Sequence, residues 1–144
     1  MSDLARYFAN DRFARHLGIE ILEIAPGFAR ARMAVADHHL NALDLVHGGA
    51  IFGLADLVFA VASNAHGQVA LGINVSMSYV KAARGGVLVA EAREVSRNAK
   101  LATYSMEVKD TDGALVALMM GTVYRKKDPL PGGAAGAGEG VLSS

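Results

Sequence analysis

The chain has no cysteine, which excludes a disulfide, a thiolate nucleophile and any Cys-based metal site, and is compatible with a reducing compartment. It also has no excess of either charge. Lys plus Arg and Asp plus Glu total 14 each, so the formal net charge is zero, and no global field draws the protein to nucleic acid or to an acidic membrane surface. The opening "MSDLARYFANDRFARHLG" is amphipathic and charged, without the apolar core and small-residue cleavage site of a secretory signal, so the cytoplasm is the expected compartment. Aromatic residues make up only 6%. What is plentiful is small and apolar: hydrophobic residues reach 52% of 144 positions, rich in Ala and Val. One domain of this length builds a real core, and the surplus points to association that buries part of the surface.

The longest apolar run is "HGGAIFGLADLVFAVASNAHG", His47 to Gly67, interrupted by one carboxylate, Asp56. A membrane span needs roughly 20 apolar residues, and a mid-span carboxylate costs several kcal/mol. The run therefore reads as a buried helix ending near Asn64 to Gly67. Upstream, Leu4, Tyr7, Phe8 and Phe13 predict one short helix over residues 3–16, with Ser2 or Asp3 as its cap, ending before Gly18. "IEILEIA" and "FARARMAVA" flank Pro26-Gly27 as a hairpin, with Ala29, Ala31, Met33 and Val35 on one face and Arg30 and Arg32 on the other. Downstream come four strands, "ALGINVSMSYVKA", "GVLVAEAREVS", "LATYSMEVKD" and "ALVALMMGTVYRK", the last two joined by a "DTDG" turn. In the third of these Tyr104, Met106 and Val108 alternate with polar residues; in the last, Leu115 to Met120 is apolar on both faces, which suits a central strand. Strands segregated from a single long helix predict an α+β domain over residues 1–128, a curved, largely antiparallel sheet wrapped around one central helix. Residues 129–144, rich in Gly, Ala and Pro, read as a disordered tail.

A helix opening at His47-Gly48-Gly49 has free N–H groups in its first turn, and the glycines admit close approach. Such a terminus holds an oxyanion. Asp56 lies eight residues on, about 12 Å along the axis, whereas both groups must come within about 3 Å of the reacting atoms. One chain cannot supply both. If identical helices pack antiparallel across a two-fold axis, Asp56 of one subunit faces Gly48 of the other, twice over. Chemistry alone leaves a second reading of Asp56 open, a buried carboxylate satisfied by a helix terminus or by the Ser63 hydroxyl. His47 reads as a cap or loop stabiliser ahead of a base. His38, His39 and His47 match no metal-site spacing, so neither a metal nor a cofactor is expected. Arg125-Lys126-Lys127 reads first as a solvated strand end.

The stretch "LNALDLVHGGAIFGLADLVFAVASN", followed by "SMSYVKAARGG" and "DTDGALVALMMGTV", resembles the hot-dog fold acyl-CoA thioesterases of the phenylacetic-acid-degradation (PaaI) branch, over about residues 5–126. The Asn, six residues, His-Gly-Gly, then Leu-Ala-Asp pattern carries the likeness. The resemblance implies Asp56 as catalytic nucleophile or general base, the Gly48 amide polarising the thioester carbonyl, Asn41 holding water or the carbonyl, and His47 supporting the loop. It further implies a substrate site that takes in Gly49, Phe52 and Asn74, the last where other members carry a Ser or Thr. Asp44, where many members have Gly, and "YVKAARGG", without the usual Pro, are departures confined to loops. Acyl-CoA is the implied partner, its phosphates met by basic residues such as Arg97 and Lys100, and the implied assembly is a homodimer or a dimer of dimers. A thioester suits an amide plus one carboxylate, because its thiolate leaves readily. The competing readings are a non-catalytic acyl-CoA or small aromatic ligand-binding protein and, less favoured because His47 directly precedes the glycines, a hydratase on the same fold.

Overall fold

The computed structural model describes residues 3–131. Two short helices, α1 (Asp3–Phe8) and α2 (Arg12–Leu17), precede the hairpin β1 (Ile19–Ala25) and β2 (Phe28–Ala34); the long helix α3 (Gly48–Asn64) follows, then β3 (Gln68–Tyr79), β4 (Val87–Arg97), β5 (Leu101–Lys109) and β6 (Leu115–Pro129). All pairings are antiparallel, in the order β1-β2-β4-β5-β6-β3. This is the hot-dog arrangement expected: one six-stranded sheet curving around α3, which packs on β2, β3, β4 and β5. No helix among the described residues is long and apolar enough to cross a membrane.

The alternation read from sequence sets the inner face. Cross-strand pairing aligns Ala29, Ala92, Met106, Met119 and Met77 in one row, and Ala31, Ala90, Val108, Ala117 and Tyr79 in the next. Five of these are alanines lying at 0% exposure beneath an apolar helix, so backbone and helix approach closely and little aromatic bulk is required. Phe59 fills the space left by Gly72 and Gly121, where a Cβ would come within 3.2 and 2.7 Å of its ring.

Two expectations need correction. The N-terminal segment is two helices because Asp11, with its Oδ1 accepting the Ala14 N–H at 2.9 Å, caps a fresh start at Arg12; its helical periodicity continues across a break. The strand beginning at Leu115 is flanked on both sides, by β5 and β3, yet its outer face is open, with Leu118 and Met120 exposed. Its two-sided apolarity therefore reflects a bare sheet face, not burial within the chain. β6 runs to Pro129 and Leu130 is buried; the expected Gly/Ala-rich tail lies, from residue 132 onward, outside the described residues.

Candidate active site

The helix start is built from side-chain to backbone contacts. His47 is the N-cap of α3, its backbone extended (φ −60°, ψ 137°) and its Nδ1 accepting the Gly49 N–H at 2.8 Å. His47 therefore holds the helix terminus through the acceptor nitrogen of its ring. Its carbonyl accepts the N–H groups of Ala50 (2.9 Å) and Ile51 (3.2 Å). Of the orphan donors of the first turn, the Gly48 N–H alone has no acceptor among the described residues. The positive end of α3 thus presents a single open amide.

The loop before the helix is braced independently. Asn41 Oδ1 accepts the N–H groups of Leu43 (2.9 Å) and Leu45 (3.1 Å), and the Asn41 N–H donates to the Leu45 carbonyl at 2.7 Å. This tight turn holds Asp44 in the left-handed region at φ 58°, a conformation that aspartate tolerates better than most side chains. With its oxygen committed, Asn41 has only its amide N–H₂ to offer a ligand. His39, buried, ties the same loop to α2: its Nδ1 accepts the Ala36 N–H at 2.9 Å, its Nε2 lies 2.8 Å from the Leu17 carbonyl, and its own carbonyl accepts the His47 N–H at 2.7 Å. Burial pushes the His39 pKa below its ordinary value, and the neighbouring His38 and His16 push the same way.

Asn41 and Gly48 line one cleft of about 350 Å³, together with Leu45, Ile51, Tyr79 and Lys81. Tyr79, which sequence reasoning passed over, donates its hydroxyl to the Gly48 carbonyl at 3.0 Å. Its signal lay in the period of two: Tyr79 shares the inner face with Met77 and meets a glycine that leaves room for a ring. The same cleft does not include Asp56. That residue lies two turns along α3 between buried Ala55 and Leu57, exposed in the single chain and with no hydrogen-bond or ion-pair partner among the described residues. Ser63, the neighbour considered for it, donates instead to the Ala60 carbonyl at 3.2 Å, so that hydroxyl does not satisfy Asp56 within the chain. Although its surface is open, enough protein surrounds the carboxyl that desolvation raises its pKa, and the nearby charge of Asp11 adds to the shift.

The remaining residues scatter. Gly49 is occupied in capping, and half-buried Phe52 packs against the core one turn beyond Gly48. Asn74 pairs with Thr122, whose neighbours Gly121 and Val123 point inward, so Asn74 lies on the outer face of the sheet, away from α3. Arg97 stands 3.4 Å from Glu94, which also receives His66 at 2.8 Å and Tyr104 at 3.0 Å; Lys100 is tied through its carbonyl to the Arg125 N–H. Both cations are at the C-terminal end of α3, about 25 Å from Gly48 by helix length. One chain therefore joins Asn41, His47, Gly48 and Gly49, and leaves Asp56, Asn74, Arg97 and Lys100 apart from them.

A sheet-wrapped helix with one open amide at its N-terminus and, among the described residues, an unpartnered carboxylate two turns further along it matches a known class. Residues 43–117 match the thioesterase superfamily, and the chain belongs to that superfamily. It is 51% identical over 125 residues to a protein of Archaeoglobus fulgidus named only provisionally as an esterase, covering 86% of this chain and 81% of that one. It is 32% identical over 119 residues to the acyl-coenzyme A thioesterase PaaI of Escherichia coli, covering 82% and 85%. The structure of the E. coli PaaI protein superposes with a TM-score of 0.83 at 30% identity, over 86% of this chain and 91% of that one. Within the superfamily the chain is a hot-dog protein of the PaaI type, a thioester hydrolase.

Proposed function

We propose that the substrate is an acyl-CoA, with an aryl or medium-chain acyl group, and that each site is shared between two copies of the chain. The thioester carbonyl oxygen accepts the Gly48 N–H of one chain, and Asp56 of the other chain either attacks the carbonyl carbon or takes a proton from the attacking water. In either route the carbon–sulfur bond breaks, the sulfur leaves as thiolate and takes up a proton, and water supplies the hydroxyl of the free acid. Asn41 donates its amide N–H to the water or the carbonyl, and His47 keeps the helix terminus in place. The observation that carries this reading is Asp56, a carboxylate in the middle of the core helix that makes no polar contact among the described residues and whose charged form the fold disfavours. The name of the E. coli relative supports the substrate class.

Support for a second chain comes from β3. It is the outer strand of the sheet beyond β6, and Leu71, Ile73 and Val75 along it are exposed, the kind of bare edge that folded proteins cover. We assign the assembly as a homodimer or dimer of dimers in the cytoplasm, with Arg97 and Lys100 of one chain or the other available to the CoA phosphates. The test is thiol release across aryl- and alkyl-acyl-CoAs, with Asp56→Asn alongside. Wild-type turnover and its loss in the variant, the oligomer intact, bear the proposal out. Saturable acyl-CoA binding without turnover anywhere on the panel would make this a binding protein.

A further inference from the structure

We infer that Tyr79 is a positioning residue which, with His47, holds the one open amide of the active site in its working direction. The inference rests on the reading of Gly48 as the carbonyl-polarising donor and extends it to a residue on another element. The Gly48 carbonyl and the Gly49 N–H belong to a single planar peptide unit and point to opposite sides of it. Tyr79 Oη donates to the carbonyl end at 3.0 Å and His47 Nδ1 accepts from the N–H end at 2.8 Å. That peptide is pinned at both ends by side chains.

The clamp answers a specific weakness. Two consecutive glycines give the widest backbone freedom at the position where a donor must be preorganised. The next peptide back, His47 to Gly48, carries the open N–H on one side, and its carbonyl is held by Ala50 and Ile51. With the units on either side of the Gly48 Cα fixed, the open N–H has no independent rotation left. The ring of Tyr79 also lies against Gly48, where a Cβ would sit 3.2 Å from Cζ and 3.3 Å from Oη. A Cβ at 48 would press the tyrosine ring back by a few tenths of an ångström, so glycine there lets the hydroxyl sit at hydrogen-bond distance from the carbonyl. Tyr79 is itself 52% exposed and adds little to the core, so the hydroxyl has no evident structural task beyond this contact.

The test uses Tyr79→Phe, which keeps the ring and removes the hydroxyl, and Tyr79→Leu, which removes both, read by steady-state thiol release and by amide hydrogen exchange at Gly48 and Gly49. A preorganised donor acts in the transition state, so Tyr79→Phe should lower kcat by roughly 3- to 10-fold with KM changed less than about 2-fold. Tyr79→Leu should lower it further, both with melting temperatures near wild type, and exchange at Gly49 should quicken in both. Wild-type kcat in Tyr79→Phe, with Asp56→Asn inactive, would overturn the role of Tyr79 and leave the active-site assignment standing. An Asp56→Asn protein as active as wild type would remove that assignment instead. Unchanged exchange at Gly49 in both Tyr79 variants would show that there is no clamp, whatever the activity.

Discussion

Replacing Gly48 by proline deletes the open N–H with little other disturbance, because the backbone there already meets proline's requirements. Gly48 is the first residue of α3, where proline is favoured and its missing donor is an orphan in any case. His47 before it has φ −60° and ψ 137°, inside the extended region that a residue preceding proline must occupy. The cost is a Cβ at 3.2 Å from the Tyr79 ring, and that ring is half-exposed and able to yield. The fold should therefore stay within about 1 kcal/mol of wild type. The Gly49 N–H is taken by His47, and those of Ala50 and Ile51 by the His47 carbonyl, so no neighbouring amide can substitute. Loss of one such donor typically costs about 10²- to 10³-fold in kcat, or about 2.7–4 kcal/mol. Gly48→Ala is the control: it adds the same Cβ but keeps the N–H, and should lose activity only through the displaced Tyr79 contact. The assay is colourimetric thiol release at saturating acyl-CoA, beside thermal melting of each variant. A folded Gly48→Pro protein with kcat within a few-fold of Gly48→Ala would refute the oxyanion role of this amide.

Two further predictions concern pH. Because the folded-state pKa of Asp56 is raised above 3.8, the native state holds its proton more tightly than the unfolded chain, and stability falls as pH rises through that interval. Asp56→Asn should therefore melt slightly higher than wild type at neutral pH, by less than about 1 kcal/mol given the exposure of the group, while losing turnover. The acid limb of wild-type kcat should lie above the ordinary carboxylate value. His39 acts in the opposite sense: its folded pKa lies below 6.5, so the unfolded chain binds the extra proton first. Its stabilisation is complete above pH 6.5, is lost as pH falls from there towards the folded pKa, and levels off beneath it. Melting temperatures of wild type and His39→Gln from pH 8 to 5 should show this slope in the wild type and a shallower one in the variant; parallel slopes would contradict it.

Much of the proposed site was legible in sequence because it depends on spacing along one helix. Gly48 and Asp56 lie eight residues apart on a rod of fixed rise, so their separation follows from the sequence once the helix is recognised. Part of the inner face was equally readable, since Ala29, Ala31 and Met33 alternate with arginines, and Tyr104, Met106 and Val108 with polar residues, and all six are buried. Other features depended on pairing between distant segments. The Tyr79 contact exists because β3 ends beside the start of α3, which no local pattern in "SMSYVKA" states. The break at Asp11 was hidden because two short helices in succession kept an apolar period that a single helix would also show. Asn74 was assigned by likeness to other members, although counting back in twos from Tyr79 through Met77 and Val75 already puts it on the other face. The register shift between Gly72 and Asn74 turns Gly72, not Asn74, towards Phe59.

The central claim is that Asp56 and Gly48 act together from different chains, and mixing two inactive variants tests it directly. If each site takes Asp56 from one chain and Gly48 from the other, a hybrid dimer of Asp56→Asn and Gly48→Pro chains carries one doubly damaged site and one intact site. Random assortment of equal amounts should then restore about a quarter of wild-type thiol release. If both groups served a site within one chain, every site in the hybrid would be damaged. Hybrids verified by differential tagging that show no more activity than either parent would contradict the account.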